Sequence, residues 1–527
     1  MHRTIQYAAA LILIALAHNV QAAPPDGFGQ RVEGLRKASG APGIAISIVE
    51  QGETTLARGW GVRELGEEGP VDAHTIFATG STGKAFTVAA LATLVDEQKL
   101  SWDDKVIDHM PWFRMNDPWV TAEMTVRDLL VHRSGLGLGA GDLLFVPRSN
   151  LSRKETVERL RYIEPATSFR SSYAYDNILY IVAGQLIEEI TGETWEQYVF
   201  DRVLRAGGMV DSTSDYDSRY AVENRARPHA RTTGLLRGLG PNVVLNERDE
   251  LGRNAMPAGG LAMSATDMAQ WLKIQLAQGA MPGGGRLFSE AVAKEMWTPV
   301  TPMPNEDWPG DLALANPNYT AYALGWQVQD YRGARLIWHG GGVFGAITLV
   351  ALLPDQDVGI AIMINSEEAA LRRGLFYELL DYYLGLPPND WPAKWDAFVA
   401  ERLEGGRAFL AQREEKPANV GPSLPVARYV GTYRDPWYGD VVVSERDRGL
   451  WIDFTTNPRM EGPLVHYQYD TFKTELTDPS LENALVTFGL DANGNIERVA
   501  MEAASPLADF SYDYRDLDLR PVKEKQE

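Results

Sequence analysis

Alternating apolar and polar residues predict strands at both ends of a long, mainly helical segment. Residues 43–62, GIAISIVEQGETTLARGWGV, alternate on either side of the dipeptide Gln51-Gly52, a pattern typical of a β-hairpin. Three stretches between residues 323 and 365 show the strand pattern again and are expected to form consecutive antiparallel strands. Because helices are predicted between the two groups, we expect an α+β fold in which both ends of the segment share one sheet.

Helical periodicity accounts for most of the remaining part of this segment. Ser264 fits the N-cap of one predicted helix, and Gly192 fits the stop of another. Helices are predicted in residues 27–39, about 79–98, 124–136, 177–192, 264–279, 367–385 and 395–415. The expected architecture is therefore an antiparallel sheet flanked by helices, together with a helical subdomain.

The character of the chain changes after a polar stretch that carries prolines. Residues 413–423 are predicted to be a linker, which separates a main domain, 23–412, from a small all-β, barrel-like domain, 424–527. A hairpin turn is predicted at Asn493-Gly494. Aromatic residues of this tail suit a barrel core better than a sugar-binding face. They are Tyr429, Tyr433, Trp437, Tyr438 and Trp451.

Composition limits the class of partner. The formal net charge is −21 in 527 residues without a long run of Lys or Arg, so binding to nucleic acid, which needs clustered basic residues, is not expected. Cysteine is absent, which excludes disulfides, thiolate metal sites and thiol catalysis. The histidines show no spacing typical of metal ligands, so we expect neither a metal nor a cofactor. The oligomeric state stays open.

The first 22 residues have the pattern of an export signal. Arg3 supplies a positive start, and the apolar stretch at residues 8–17 is too short to span a bilayer. We expect cleavage after Ala22 and a mature protein in the periplasm or outside the cell. No second apolar stretch approaches spanning length, so membrane insertion after cleavage is not expected.

A candidate nucleophile and a candidate base occur in FATGSTGKAF, residues 77–86. Ser81 and Lys84 are three positions apart and share a face if the helix begins there. Ser81 would lie at the helix N-terminus, where unpaired N–H groups stabilise a developing negative charge. The apolar residues after Lys84 would bury the lysine and lower its pKa. Such a pair also arises by chance, so by itself it does not establish catalysis.

Two further motifs supply groups that a serine–lysine pair needs. Tyr175 and Asn177 place a phenol and an amide just before a predicted helix, and a phenol can relay protons. The second motif is His339-Gly340-Gly341-Gly342, at the end of a predicted strand. Glycines there let a substrate backbone approach and leave an N–H free to meet an oxyanion.

Ser81-x-x-Lys84, Tyr175-x-Asn177 and His339-x-Gly341, in this order and at wide separations, resemble the three motifs of the serine β-lactamase and penicillin-binding-protein superfamily. The class C β-lactamase branch, which also contains esterases and D-amino-acid peptidases, is the most similar. The resemblance covers roughly residues 28–390, and the tail resembles the small β-domain often appended to such hydrolases.

The resemblance implies a role for each motif residue. Ser81 would be the nucleophile that forms an acyl-enzyme, and Lys84 and Tyr175 would transfer protons. Asn177 would hydrogen-bond the amide of the substrate. The backbone N–H groups of Ser81 and Gly342 would form the oxyanion hole, beside Gly341 in the substrate-binding strand.

The third motif departs from the pattern of many β-lactamases, which have Lys-Thr where this chain has His339-Gly340. His339 would line the pocket and help to hold Tyr175 or the substrate. Histidine is largely neutral near pH 7 and gives no fixed positive charge to a substrate carboxylate. The departure weakens the expectation of β-lactam hydrolysis and suits the esterase and peptidase members.

These observations predict an exported serine hydrolase that cleaves amide or peptide bonds, including bonds to D-amino acids, in a small-molecule or peptide substrate. A carboxylesterase and a β-lactamase of the same fold are alternatives within the enzyme class. A non-catalytic binding protein that kept the fold is the alternative from another class.

Overall fold

A computed structural model describes residues 24–246, 248, 251–414, 420–446 and 449–523. The predicted export signal lies outside these residues. No helix in the described ranges is long and apolar enough to cross a membrane. The elements up to residue 414 form the first unit, and those from residue 420 onward form the second unit. In chain order the strands of the first unit are β1 (Gly43–Glu50), β2 (Glu53–Gly61), β3 (Phe77–Ala78), β4 (His229–Ala230), β5 (Val243–Val244), β6 (Ala262–Met263), β7 (Thr301–Pro302), β8 (Thr320–Tyr322), β9 (Gln327–Tyr331), β10 (Ala334–Val343), β11 (Ala346–Leu353) and β12 (Val358–Ile364). Its helices are α1 (Phe28–Ser39), α2 (Lys84–Asp96), α3 (Val106–His109), α4 (Pro118–Glu123), α5 (Val126–Leu130), α6 (Arg153–Arg159), α7 (Ile178–Thr191), α8 (Trp195–Val199), α9 (Tyr216–Ala221), α10 (Met256–Gly259), α11 (Ala265–Leu276), α12 (Glu290–Met296), α13 (Ala369–Tyr383) and α14 (Trp391–Glu414).

The first unit is built on an antiparallel sheet with the strand order β2-β1-β12-β11-β10-β9-β8-β7. β1 pairs with β12, with Ile44 opposite Ile364, so the two ends of this unit share one sheet as the sequence predicts. The predicted turn between β1 and β2 is present, with Gln51 at φ 51° and Gly52 at φ 78°.

Helices cover both faces of this sheet. On β1, the side chains of Ile44, Ile46 and Ile48 pack in the core shared with α1 and α13. Ala45 and Val49 belong to the opposite core, which includes α2, α7 and α11. Burying an aliphatic side chain of this kind contributes about 1.5–3 kcal/mol, so the sheet is held by apolar contacts on both sides. The predicted α+β architecture is confirmed.

The second unit is a nearly closed antiparallel barrel with the strand order β19-β18-β17-β16-β15-β14-β13-β20. The amide N–H of Val499 in β19 donates to the carbonyl of Leu519, just before β20, at 2.8 Å, which brings the two edges together. Its strands are β13 (Gly431–Asp435), β14 (Gly439–Arg446), β15 (Gly449–Phe454), β16 (Glu461–Gln468), β17 (Thr471–Thr474), β18 (Ala484–Leu490), β19 (Ile496–Ala503) and β20 (Arg520–Pro521).

The aromatic residues of the tail form the core of this barrel, as predicted. Tyr429, Tyr433, Trp437 and Tyr438 are all buried. Trp451 is the exception, because it is half-buried and the Arg446 guanidinium lies 4.0 Å from the centre of its ring. The predicted hairpin turn at residues 493–494 joins β18 to β19.

Two helices close to residue 81 and residue 132 differ from their predicted extent. The helix predicted from about residue 79 starts as a 3₁₀ turn, Gly80–Gly83, because Gly80 adopts φ 54°, and only then continues as α2. The helix predicted over residues 124–136 ends at Leu130, because the chain turns sharply at His132, where φ is 56°.

Strand β10 runs through the glycine motif to Val343, and this brings it against the turn that carries Ser81. A Cβ atom added to Gly341 would overlap the carbonyl oxygen of Thr79 and the hydroxyl of Thr348. A Cβ atom added to Gly80 would lie 2.5 Å from the backbone nitrogen of Gly342. The glycines are therefore required by the close approach of strand and turn.

Substitution Gly341→Ala should separate β10 from the Ser81 turn. We expect a loss of about 1–3 kcal/mol in the free energy of unfolding, typical of overpacking, and a large loss of activity. Gly340→Ala is the matched control, because its Cβ would meet no atom closer than 3.5 Å. Equal effects of the two substitutions on thermal midpoint and hydrolysis rate would contradict this account.

Candidate active site

The predicted nucleophile and base are in hydrogen-bond contact. Ser81 lies in the 3₁₀ turn, and Lys84 is the first residue of α2. Their spacing brings Lys84 Nζ to 3.0 Å from Ser81 Oγ. The pair therefore has the geometry needed for proton transfer between an alcohol and an amine.

Lys84 is completely buried, and each of its three N–H donors has an acceptor. Besides Ser81 Oγ, Nζ donates to Asn177 Oδ1 at 2.7 Å and to the carbonyl oxygen of Ala258 at 2.9 Å. The rings of Tyr175 and Tyr180 lie 4.8 and 5.1 Å from Nζ, so aromatic faces surround the ammonium. These contacts fix the amine in one position over Ser81.

Burial lowers the pKa of Lys84 from its ordinary value to about 7. The cause is the loss of hydration around the charged form, which the negative charges of Asp142 and Asp176 oppose only in part. Burial in turn raises the pKa of Asp142 to about 7 and that of Asp176 to about 8. Lys84 can thus exist as a free amine near neutral pH and accept a proton from Ser81.

Tyr175 lies beside this pair as a neutral phenol. Its hydroxyl is buried and makes no hydrogen bond of normal geometry to a described residue. Burial raises the pKa of Tyr175 well above its usual range, although the neighbouring Ser81 hydroxyl acts in the opposite direction. The ring packs on the imidazole of His132, with centroids 4.2 Å apart. Tyr175 is therefore held next to Ser81 as a protonated group.

His339 is buried and neutral. Burial, followed by the charge of Lys84, lowers its pKa to about 3. Its Nδ1 lies 2.6 Å from the carbonyl oxygen of Gly340, which can only accept, so the proton is on Nδ1. Its Nε2 then accepts from the hydroxyl of Tyr322 at 2.8 Å. The expected contact with Tyr175 is a ring contact, with centroids 6.2 Å apart.

Asn177 is held between two ionisable groups. Its Oδ1 accepts from Lys84, and its Nδ2 donates to Asp142 Oδ2 at 2.8 Å. The sequence predicts only a contact with substrate for this residue. An amide nitrogen carries two N–H donors, so one of them is left to meet a substrate carbonyl. Asn177 thus has a role inside the cluster as well as toward the cleft.

The Gly341–Gly342 peptide faces the Ser81 turn. Arg372 Nη1 donates to the carbonyl oxygens of Gly341 and Thr348, at 3.1 and 2.8 Å. These residues are opposite each other in β10 and β11, so both carbonyls point between the strands. Alternation along an antiparallel ladder then directs the N–H of Gly342 to the other edge of β10. Pairing with β9 stops at Trp338, which leaves that edge open.

Arg372 also changes the donor strength of this peptide. The Gly341 carbonyl and the Gly342 N–H belong to one amide group. A cation on the oxygen polarises the amide and strengthens its N–H as a donor. The arrangement suits an oxyanion hole.

These groups line a cleft of about 730 Å³. Ser81, Tyr175, Asn177 and His339 form one part of its wall, together with the glycines of β10. The second unit supplies another part through residues 509–512. In the described part of the chain, no three His, Asp or Glu side chains are grouped so that they could hold a metal ion.

Sequence reasoning missed several residues of this site. Asp176 lies inside the Tyr-Asp-Asn motif but is turned away from the cleft, where it accepts from Ser134 Oγ at 2.7 Å. His132 packs against Tyr175, but its positive φ, which sets the turn at this position, cannot be predicted from the local sequence. Asp142, Arg372 and Ser511 come from distant segments that carry no recognisable motif.

Comparison with known sequences identifies the family. The sequence profile described as Beta-lactamase matches residues 28–400, and a domain of unknown function, DUF3471, matches residues 415–521. The chain belongs to the β-lactamase family. The predicted membership of the serine β-lactamase and penicillin-binding-protein superfamily is confirmed, and the chain is a serine hydrolase of this family.

Relatives and solved structures agree with this family. An unguisins hydrolase of Aspergillus campestris is 30% identical over 422 residues, which cover 76% of this chain and 74% of that protein. The octameric penicillin-binding protein homologue from Pyrococcus abyssi has a TM-score of 0.55 and 20% identity, covering 90% of this chain and 97% of its own. The D-amino acid amidase from Ochrobactrum anthropi has a TM-score of 0.54 and 19% identity, and the match covers 72% of this chain and 99% of the amidase. The two structures show a shared fold.

Acylation of this β-lactamase-family protein should depend on the charge of Lys84. Burial disfavours the ammonium and lowers its pKa to about 7, so the free amine, which is the base, becomes populated as the pH rises through 7. We expect the rate of Ser81 acylation to increase between pH 5 and pH 9, with a midpoint near the Lys84 pKa of about 7. Lys84→Arg keeps the cation but cannot release its proton, and should lower the rate by about 1,000-fold. A flat pH profile would contradict a lysine base.

Proposed function

We propose that this protein is an exported serine hydrolase that cleaves amide or peptide bonds, including bonds to D-amino acids, through an acyl-enzyme on Ser81. The observation that carries the proposal is the open edge of β10 beside the nucleophile. Gly340–Gly342 pair with β11 alone, so their outward N–H and C=O groups are available to a substrate backbone. An amide substrate can accept a hydrogen bond from these N–H groups and donate one to these carbonyl groups, as an added strand does. A simple ester has no N–H to donate.

The reaction follows from the contacts in the site. Lys84 takes the proton of Ser81 as Oγ attacks the substrate carbonyl carbon. The N–H groups of Ser81 and Gly342 bind the oxyanion, at about 3–4 kcal/mol each if they act like other such holes. The proton passes to the leaving nitrogen through Lys84 or Tyr175, and the amine departs. A water molecule, deprotonated by the same groups, then attacks the acyl-enzyme ester on Ser81. This step releases the carboxylic acid product and returns the proton to Ser81 Oγ.

The neutral His339 argues against a β-lactamase as the first choice. Its pKa of about 3 means that it presents no cation to a substrate carboxylate at neutral pH. A cleft of about 730 Å³ also has room for several residues of a peptide. The similarity to a D-amino acid amidase supports amide substrates, and the same fold in penicillin-binding proteins supports acyl transfer.

Export is proposed from the pattern of residues 1–22. Mass spectrometry of protein recovered from the periplasm or the medium should give a chain that begins at Ala23. Recovery of the full-length chain from the cytosol alone would contradict export.

The proposed chemistry predicts a covalent adduct on Ser81. A fluorophosphonate should label the wild-type chain at Ser81 and leave Ser81→Ala unlabelled, because the Ser81 oxygen displaces fluoride at phosphorus. Lys84→Ala should lower labelling by orders of magnitude with little change in thermal midpoint, since relief of the buried charge offsets the hydrogen bonds that are lost. Equal labelling of wild type and Ser81→Ala would support a non-catalytic protein instead.

Substrate class is tested with three chromogenic probes: D-aminoacyl p-nitroanilides, p-nitrophenyl esters and a cephalosporin. We expect turnover of at least one D-aminoacyl anilide and only slow turnover of the cephalosporin. Rapid ester hydrolysis without any anilide turnover would favour a carboxylesterase. Rapid cephalosporin turnover would show that a neutral His339 suffices for a β-lactamase.

A further inference from the structure

A short segment of the second unit, Asp509–Asp513, is built into the active site of the first. The Phe510 ring meets the Tyr175 ring edge-on, with centroids 5.9 Å apart. A Cβ atom on Gly139 would lie 2.8 Å from the carbonyl oxygen of Phe510, so the two backbones are in contact. We call this segment the clamp segment.

The clamp segment holds three consecutive residues of the first unit. The carboxylate of Asp513 accepts from the backbone N–H of Gly141 at 2.8 Å and from that of Leu143 at 3.2 Å. The hydroxyl of Ser511 donates to Oδ2 of Asp142, between them, at 2.7 Å. Both the backbone and the side chain of this turn are thus fixed from the second unit.

Asp142 connects the clamp segment to Asn177 and Lys84. Its side chain is completely buried, and its Oδ2 also accepts from Asn177 Nδ2 at 2.8 Å. Its other oxygen, Oδ1, has no partner among the described residues. Because a carboxylate can only accept, it fixes the nitrogen side of the Asn177 amide toward itself and the oxygen side toward Lys84.

An unbroken hydrogen-bond chain therefore runs from the second unit to the nucleophile, through Ser511, Asp142, Asn177, Lys84 and Ser81. We propose that the clamp segment positions the base of the reaction, with Ser511 and Asp142 as positioning residues, so that the second unit is part of the catalytic centre. The inference rests on the proposed function, because it assigns Lys84 the role of base.

Loss of the Ser511 hydroxyl should raise the pKa of Asp142 and lower that of Lys84. Among the described residues, the charged and titratable groups that interact with Asp142 are Lys84, Tyr175, Asp509 and Asp513. Removing a donor to its carboxylate favours the protonated acid. A neutral Asp142 no longer supports the Lys84 ammonium, so the pKa of Lys84 falls further and the Asn177 amide is free to turn.

The test measures phosphonylation of Ser81 by a fluorophosphonate, with the full chain, as a function of pH. We expect Ser511→Ala to lower the maximal rate by about 10- to 100-fold, the loss of one hydrogen bond to a charged group, and to move the rising limb to lower pH. Ser511→Thr keeps a hydroxyl and should restore most of the rate. Ser505→Ala, in the same unit, is the matched control and should behave as wild type.

A double-mutant cycle checks that Ser511 acts through Asp142. Asp142→Asn should also slow phosphonylation, and adding Ser511→Ala to it should have little further effect. An unchanged rate and pH profile in Ser511→Ala would overturn the inference, as would additive losses in the double variant. A wild-type chain that is not labelled at Ser81 would instead refute the proposed function, so the two failures are distinguishable.

Discussion

The burial of one ammonium group is the constraint on which the site depends. Lys84 is completely buried and is held by three oxygen atoms and two aromatic faces. A buried charge is unfavourable unless it is paired or neutralised, so the protein supplies acceptors from separate segments. Two of them, the Asn177 amide and the Ala258 carbonyl, keep the amine over Ser81 in either protonation state.

The surrounding fold follows from this requirement. The glycines at positions 80 and 341 let the Ser81 turn and strand β10 approach more closely than any side chain would allow. That approach places the outward N–H of Gly342 near the Ser81 turn, and Arg372 fixes the same peptide from the other side of the strand. The buried tyrosines and histidines stay neutral, and among the described residues the acidic groups that act on Lys84 are Asp142 and Asp176.

Local sequence pattern predicts the sheet, the main helices and the three motifs. Apolar alternation on β1 and β12, the spacing of Ser81 and Lys84 and the family motifs all act over short distances along the chain. The start of α2 does not follow from local pattern, because a glycine at positive φ decides it, and the close backbone contact between β10 and the Ser81 turn is likewise set by the folded chain. The contact of Asp142 with Ser511 spans 369 positions and involves no motif, so only the folded chain reveals it.

Lys84 is poised between its charged and neutral forms near neutral pH. Lysine labelled with ¹³C at Cε gives the most direct measurement, with the Lys84 signal assigned by its loss in Lys84→Arg. The chemical shift should titrate with a midpoint near 7. A midpoint above 10, like that of a solvent-exposed lysine, would contradict the account.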